Sequence, residues 1–355
     1  MKHKFKSALG HIKRQRVAKK PRLDEAIENI PRITNETVAE HREEVLSSAR
    51  KYIYPLQHSI HRIVTISSWL FVVLIVSFFG YCLLALYRFH TTSTFMYRVT
   101  QVIPFPIAKA GSHFVSYESY LFELRHYMHY YQTQQKVDFN SEAGKQQLAS
   151  FSKTALQTVI DEAYVKELAS KYKVSVTNQE LNDEIMLVRQ ENRLGNSDQV
   201  FSDVLKEFWG WSIDDFKREL KQQLLAQKLV SALDTGTHKR AESALAQLQA
   251  GADFATLAHQ VSDDAATKAA GGAYGVPIDK SNRDLSPQII KVLFTLSPGQ
   301  TSSIINTGST LEIVKVLSSS DGKVQAAHIS FNFQNLETYL TPLRKQEKPF
   351  ILVAL

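Results

Sequence analysis

Cysteine is almost absent from this chain, since Cys82 is the single one among 355 residues. One cysteine excludes an intramolecular disulfide, a CxxC redox pair and a cysteine-based zinc site. The sequence also lacks internal repeats and long low-complexity segments. The globular part must therefore be stabilised by its apolar core, and residues 100–355 are numerous enough to form one, in two modules.

Charged residues are missing from residues 63–87, which read IVTISSWLFVVLIVSFFGYCLLALY. At a rise of about 1.5 Å per residue, a helix of this length covers the ~30 Å hydrocarbon core of a bilayer. Such a helix satisfies its own backbone hydrogen bonds, and Arg62 and Arg88 flank it. The run predicts a transmembrane helix in contact with membrane lipids. The alternative, a buried helix of a soluble core, is disfavoured because such helices rarely lack a polar face.

The net charge of +7 lies entirely before this run. Residues 1–62 hold 14 Lys and Arg against 7 Asp and Glu, which leaves 28 of each from whole-chain totals of 42 and 35. Because Lys and Arg favour the cytoplasmic side, we expect a single-pass protein of the cytoplasmic membrane with its N-terminus inside and its C-terminal body outside. The run begins too late for an ordinary cleaved signal peptide, which favours an uncleaved anchor.

A sequence pI near 9.2 is also compatible with nucleic-acid binding. Here the positive charge is confined to a tail beside a membrane, where topology and anionic lipid headgroups account for it. No nucleic acid is therefore expected as a partner, although binding by the tail remains a minor alternative. Residues 23–62 are more mixed in charge and could be helical, with Thr34 or Asn35 as a start signal.

Helical patterns dominate the first part of the body, up to about residue 233. Ile107 to Val115 resembles a short hairpin. Helix start signals follow, and they are Ser116, Ser141, the capping box Thr177 to Glu180, and Ser212. His126 and His129 are three residues apart on one helix, but no third ligand is apparent nearby. Aromatic packing or a substrate-facing surface is therefore favoured there, and no metal site is expected.

Two segments of this region carry a family resemblance. They are LQTVIDEAYVKELASKYKVSVTNQELNDEI (156–185) and WSIDDFKRELKQQLLAQKLV (211–230). Their order, with a Trp-Gly-Trp turn before the last helix, resembles the N-terminal helical module of SurA-, PrsA- and PpiD-like chaperones. The resemblance covers most of residues 106–232. It implies a module that holds unfolded client polypeptides.

The next region contains three characteristic blocks, AGADFATLAHQVSDDAATKAAGGAYG (250–275), LFTLSPGQTSSII (293–305) and LEIVKV (311–316). In their order and spacing they resemble a parvulin-type, PpiC-like peptidyl-prolyl isomerase domain. A helix at His238 to Ala250 and a second helix directly after it precede the polar loop 262–275. A short helix at Leu285 to Leu296 follows the loop. Strand composition follows at 302–306 and 310–317. The resemblance implies a small antiparallel sheet wrapped by helices.

The expected first strand of the parvulin family, with its alanine-x-histidine-isoleucine motif, is not where it should be. Residues 233–239 offer no strand, whereas Ala326-Ala327-His328-Ile329 occurs near the C-terminus. In the family the first and last strands are antiparallel neighbours, so residues 318–322 could join them as a hairpin with Asp321-Gly322 in the turn. We interpret this as a circularly permuted domain. A second, truncated parvulin domain is disfavoured because only 27 residues follow His328.

The resemblance also implies a site. Asp264 matches the acidic position of the polar cluster and His328 the first-strand histidine, while Glu312 stands where the family has a second histidine. Leu285, Ile289 and Phe294 match the proline socket. Four of these residues have a structural alternative: Asp264 as a helix or turn cap, His328 as a core histidine hydrogen-bonded across a sheet, and Leu285 and Ile289 as plain core. Gly271 and Gly272 are expected to be turn residues.

These features predict an α+β protein with a single transmembrane helix, a mostly helical SurA-like module and a small parvulin-like domain. The expected segments are a basic cytoplasmic tail (1–62), the transmembrane helix (63–87), the helical module (100–233), the isomerase domain (238–335) and a C-terminal extension (336–355). Phe350 to Leu355 could be an edge strand of the sheet.

The predicted function is that of a membrane-anchored peptidyl-prolyl isomerase that assists the folding of exported proteins. Its clients would be unfolded or proline-containing polypeptides, and no cofactor is expected. The alternative is a non-catalytic anchored chaperone or scaffold with a degenerate parvulin domain. Serine and metallo-hydrolases are unsupported, since the sequence has no GxSxG or HExxH motif.

Overall fold

The computed structural model describes residues 33–53, 55–192, 194 and 197–353. The dense basic segment predicted to be cytoplasmic, residues 2–22, lies outside the described residues. The chain divides into two compact units, Met1–Phe79 and Gly80–Leu355.

The helices and strands follow in chain order. They are α1 (Asn35–Ile53), α2 (Pro55–Leu83), a π-helical turn (Leu84–Arg88), α3 (Thr94–Val102), β1 (Pro106–Ala110), β2 (His113–Ser116), α4 (Tyr117–Thr133), α5 (Glu142–Lys171), α6 (Asn178–Glu191), α7 (Asp198–Trp209), α8 (Ile213–Leu233), α9 (Thr235–Gln249), α10 (Phe254–Val261), α11 (Ala265–Lys268), α12 (Pro287–Leu293), β3 (Ile305–Asn306), β4 (Thr310–Ser320), β5 (Lys323–Asn332), α13 (Glu337–Gln346) and β6 (Phe350–Ile351). The protein is mostly helical with two small antiparallel sheets, as the sequence predicts.

The apolar run forms most of α2 and the π-helical turn. By length and composition, residues 62–88 are a candidate membrane span, the single one among the described residues. Its large side chains are exposed, for example Trp69 at 67% and Leu70 at 64%. This pattern fits a lipid-facing helix better than the core helix of a soluble protein, whose apolar side chains are buried.

The first sheet has the order β2-β1-β6 and packs against α4 and α5. The predicted hairpin is confirmed, with Ala110 opposite His113 across the turn. Buried aromatic side chains fill the interior beneath it, namely Tyr117, Tyr120 and Tyr164. The predicted caps are also confirmed, since Ser116, Ser141, Thr177 and Ser212 each accept a hydrogen bond from the first turn of a helix.

The C-terminal segment returns to this first sheet. Phe350 and Ile351 do form an edge strand, as predicted for Phe350 to Leu355, but its sheet is the first one and not that of the isomerase region: β6 pairs with β1, Ala108 lying opposite Ile351. Residues of α13 support the return, because Arg344 Nε lies 3.2 Å from Asp161 on α5. The pairing partner was decided by the free edge of β1, a feature that no local pattern in residues 350–355 specifies.

The second sheet has the order β3-β4-β5, with β4 and β5 paired along their whole length. The hairpin predicted from the displaced AAHI motif is confirmed and is tighter than expected. Asp321 and Gly322 alone form the turn, with φ of 49° and 73°, as a two-residue type I′ turn requires. The sheet has one apolar cluster on each face, one involving α9 and α10 and the other α12.

Local boundaries differ from the predicted ones in this region. Helix α9 begins at Thr235 because Asp234 caps it, accepting from the Thr237 amide at 3.0 Å. The polar loop 262–275 contains the short helix α11. Helix α12 is limited to Pro287–Leu293, and β3 to two residues. The composition of these segments predicted whether each is a helix or a strand, while tertiary hydrogen bonds determine the residues at which each begins and ends.

Candidate active site

The centre of the second sheet carries a hydrogen-bonded histidine. His328 on β5 lies opposite Val314 on β4, and Glu312 lies opposite Ser330. His328 Nδ1 is 2.9 Å from Glu312 Oε2. Both side chains are buried, with 9% of the His328 side chain and 6% of the Glu312 side chain exposed. The hairpin thus places an acidic side chain against one nitrogen of the imidazole ring.

The other ring nitrogen faces a second carboxylate. His328 Nε2 is 2.9 Å from Asp264 Oδ2 and 2.8 Å from Thr267 Oγ1. Asp264 holds this position as the N-cap of α11, where it accepts from the Ala266 amide at 3.1 Å and from the Thr267 hydroxyl at 2.5 Å. The Asp264 side chain is 30% exposed, so it is the part of the centre nearest to solvent.

The double glycine brings this segment against β5. The His328 amide donates to the Gly272 carbonyl at 2.9 Å. Gly272 has φ +82°, and a Cβ on it would lie 2.1 Å from the His328 carbonyl oxygen. Gly271 also has a positive φ of 64°. The prediction that both glycines are turn residues is therefore confirmed.

Two members of the centre were missed by the sequence analysis. Thr267 bridges Asp264 and His328, and Tyr274 stacks on His328 with ring centroids 4.4 Å apart. The Tyr274 hydroxyl is buried, without a hydrogen-bond partner among the described residues. The spacing Asp264-x-x-Thr267 was a usable signal, since an aspartate cap and a threonine three residues on can bond each other. Tyr274 was visible only as the residue after Gly-Gly-Ala.

Charge in the centre is set by competing effects. Burial disfavours the charged form of His328, but the Glu312 and Asp264 carboxylates outweigh it and raise the pKa of His328 above its ordinary value. The Thr267 hydroxyl, the Ala266 amide and His328 lower the pKa of Asp264 against the effect of burial. Burial raises the pKa of Tyr274, which is therefore a neutral phenol. The arrangement is an imidazole ring held between two acidic side chains that favour its protonated form, with the phenol of Tyr274 beside it.

The three predicted socket residues share one apolar cluster, to which Tyr274 also belongs. Their exposure differs. Ile289 is 5% exposed and is part of the core. Leu285 is half-buried and lines a cavity of about 270 Å³, while Phe294 lines one of about 320 Å³. These side chains are connected to His328 through Tyr274, which shares their cluster, and Leu285 and Phe294 are the accessible members. Neither cavity is lined by Asp264, Glu312 or His328.

The helical region contains the histidine that the sequence analysis considered as a possible metal ligand. His126 stacks on both Trp209 and Trp211, with centroid distances of 4.8 and 4.4 Å, and burial lowers its pKa to about 4. This fits the predicted packing role.

A second group was not singled out from the sequence. Ligand atoms of Glu123, Glu162 and Glu219 lie within 4.8 Å of one another and could hold a cation. Burial, with a contribution from Glu219 and Glu162, raises the pKa of Glu123 to about 8. The raised pKa favours the protonated form of Glu123, which can hydrogen-bond to the Glu219 carboxylate without a cation.

Comparison with known proteins agrees with this architecture. Residues 225–318 match the family model of the PPIC-type PPIase domain, and residues 58–230 match that of the SurA-like N-terminal domain. The chain is therefore similar to SurA-like proteins in its helical region and to PPIC-type PPIase domains in the region that follows. The PPIase match ends at Ser318, so the strand that carries His328 lies outside the matched residues. This is consistent with a displaced strand.

Two relatives illustrate the similarity. The chain is 30% identical to a protein named Chaperone SurA from Albidiferax ferrireducens over 167 residues, 42% of this chain and 34% of that protein. It is 24% identical to a protein named Foldase protein PrsA from Clostridium botulinum over 244 residues, 59% of this chain and 70% of that protein. The chain thus spans about a third of the first relative and about two thirds of the second.

Proposed function

We propose that this protein is a membrane-anchored peptidyl-prolyl cis-trans isomerase that assists the folding of exported polypeptides. The observation that carries the proposal is the Asp264–His328–Glu312 centre beside an apolar cluster that contains Leu285. The helical module of residues 100–233 would hold an unfolded client, and residues 238–335 would act on its prolines. Residues 63–87 would anchor the chain in the cytoplasmic membrane, with the body outside.

The reaction needs little from the protein. Rotation about the X-Pro bond has a barrier of ~18–20 kcal/mol, and no covalent intermediate or cofactor is required to lower it. The enzyme must stabilise the twisted amide more than the planar one. Leu285 and Phe294 would bind the proline ring. Asp264, as the exposed edge of the charged centre, would present a fixed electrostatic field to the rotating amide.

His328 and Glu312 would act behind Asp264. Because both are buried, they are suited to orient and polarise the centre rather than to contact the substrate. Thr267 would fix the Asp264 carboxylate through its hydroxyl. Tyr274 would connect the polar centre to the proline-binding side chains, since its ring packs on His328 and belongs to the apolar cluster.

A second candidate function is favoured by one observation. Both nitrogens of His328 are engaged by carboxylates, and the ring is nearly inaccessible. In this second candidate, the closed network has a purely structural role and holds the β4–β5 hairpin to α11. The protein would then be an anchored chaperone or scaffold without isomerase activity.

An assay of the full-length protein in nanodiscs separates the two candidates. We would measure cis-to-trans isomerisation of a short proline peptide and, separately, suppression of aggregation of an unfolded client. Asp264→Ala should lower the isomerisation rate and leave client holding intact. Asp253→Ala is the matched control, because Asp253 caps α10 and bonds Thr256 in the same way. Client holding without any isomerisation above background would contradict the isomerase proposal and support the scaffold.

A further inference from the structure

Helix α3 exposes apolar side chains on the face that points away from the body. Phe95 is 55% exposed and Val102 is 82% exposed. With Arg98, also exposed, they lie at positions i, i+3 and i+7 and therefore form one stripe along the helix. Phe89, in the segment before α3, is 71% exposed. Single exposed apolar residues are ordinary, but a stripe on a nine-residue helix is a surface.

The opposite face of α3 is fixed to the body. Met96 and Thr100 are buried. Arg125 of α4 donates to the Thr92 carbonyl at 2.7 Å and to Thr94 Oγ1 at 3.1 Å, so the start of α3 is clamped. The orientation of the stripe is therefore set by packing and is not free to rotate inward.

The body is also tied to the end of the apolar run. The Tyr117 hydroxyl donates to the Leu86 carbonyl at 2.6 Å, and the Tyr87 hydroxyl donates to the Pro106 carbonyl. Only residues 89–93 separate Arg88 from α3, a distance of at most about 20 Å even when fully extended. Whatever surface the apolar run emerges from, α3 must lie close to it.

We propose that the stripe of α3, with Phe89, is a membrane-binding surface that lies in the interface of the outer leaflet. Phe and Val side chains would enter the boundary of headgroups and acyl chains, while Arg88 and Arg98 would bind lipid phosphates. The occupant is a lipid surface because the stripe combines apolar and cationic residues and follows the candidate span directly. This inference rests on the membrane anchoring in the proposed function. Its consequence is that the body is held at a fixed orientation to the bilayer.

Site-specific fluorescence on the full chain tests this. In a Cys82→Ala background, single cysteines at Phe95→Cys and Val102→Cys would carry an environment-sensitive probe in vesicles of phosphatidylcholine and phosphatidylglycerol. Val72→Cys reports the span. Val276→Cys is the matched control, since Val276 is 63% exposed in the isomerase region. We expect probes at 95 and 102 to be quenched by shallow nitroxide lipids and to be several-fold less accessible to iodide than the probe at 276.

The outcomes are distinguishable. Probes at 95 and 102 that are open to iodide, with the probe at 72 in lipid, would overturn the inference and leave the anchor intact. Probes shielded from both iodide and nitroxide lipids would overturn it in favour of a second copy or a client on α3. A probe at 72 outside lipid would refute the anchoring itself, and the inference with it. An Arg98→Ser variant should weaken the lipid quenching more in vesicles with phosphatidylglycerol than in phosphatidylcholine alone.

Discussion

Glu312 on β4 holds Nδ1 of His328 on β5 at 2.9 Å, in the position where the parvulin resemblance places a second histidine. A histidine pair can exchange tautomers, whereas a carboxylate fixes a proton on Nδ1. Asp264 lies 2.9 Å from Nε2, so a carboxyl group faces each ring nitrogen, and this favours the protonated form of His328. An acid in place of the family's histidine therefore changes the charge of the centre.

Replacing Glu312 should lower the pKa of His328. Glu312→Gln keeps the size but removes the charge, so the His328 pKa should fall by roughly one unit or more, measurable by NMR titration. The raised folded pKa means that the pair stabilises the fold fully below the unfolded value of about 6.5 and less as pH rises through the folded value. In Glu312→Gln, the stability of the fold should depend less on pH over this range. An unchanged His328 titration would show that Glu312 does not control its charge.

Glu312→His should restore the family pair and raise the isomerisation rate.

Gly272→Ala should unfold the isomerase region. A Cβ there would lie 2.1 Å from the His328 carbonyl oxygen at φ +82°, a clash with backbone that cannot move without breaking the sheet. We expect a loss of more than about 2 kcal/mol in stability. Gly322→Ala is the control, because it has φ +73° with nothing within 4 Å, and should cost only about 1 kcal/mol. Equal losses in chemical denaturation would argue that strain alone acts at Gly272.

Alanine substitutions at Leu285 and Ile289 should have different effects, the first on peptide affinity and the second on stability. Leu285→Ala should weaken binding of proline peptides by roughly 2 kcal/mol, because it removes apolar surface that the ligand covers. Ile289 is core, so Ile289→Ala should lower stability by about 2–5 kcal/mol. Peptide affinity by calorimetry and thermal unfolding would be measured on both. A Leu285→Ala protein that loses stability but binds as before would place Leu285 in the core as well.

Glu123→Gln should stabilise the helical region at neutral and alkaline pH. The folded pKa of Glu123 is raised to about 8, mainly by burial. Its stabilising contribution is complete below the unfolded value and is lost as pH rises from about 4.5 to about 8. The variant removes that loss, so the gain should be roughly 2 kcal/mol near pH 7 and vanish near pH 4. A gain that is independent of pH would contradict the buried-carboxyl explanation.

Protease protection should report the topology. A protease added outside spheroplasts should digest residues 100–355 and spare residues 1–62. Because Lys and Arg favour the cytoplasmic side, charge reversal before the span should disturb orientation more than any change after Arg88. The residues to reverse are Lys13, Arg14, Arg16, Lys19 and Lys20. Digestion of the tail from outside would reverse the proposed orientation.

Local patterns in the sequence determined the secondary structure well. The uncharged run predicted a long apolar helix, and Ser116, Ser141, Thr177 and Ser212 marked the helix starts, because caps and periodicity depend on residues within one or two turns. Asp321-Gly322 predicted a hairpin for the same reason. The resemblance then brought Asp264, Glu312 and His328 into one site before their distances were known.

Only the tertiary structure decided which residues complete that site and which sheet the C-terminal strand joins. Tyr274 stacks on His328 and Ile289 is buried because β4, β5 and α12 pack together, which no short segment specifies. Likewise β6 pairs with β1 some 240 residues earlier in the chain, so its partner was fixed by a free sheet edge. A strand's composition states that it will pair, but the partner is the edge that the rest of the fold leaves open.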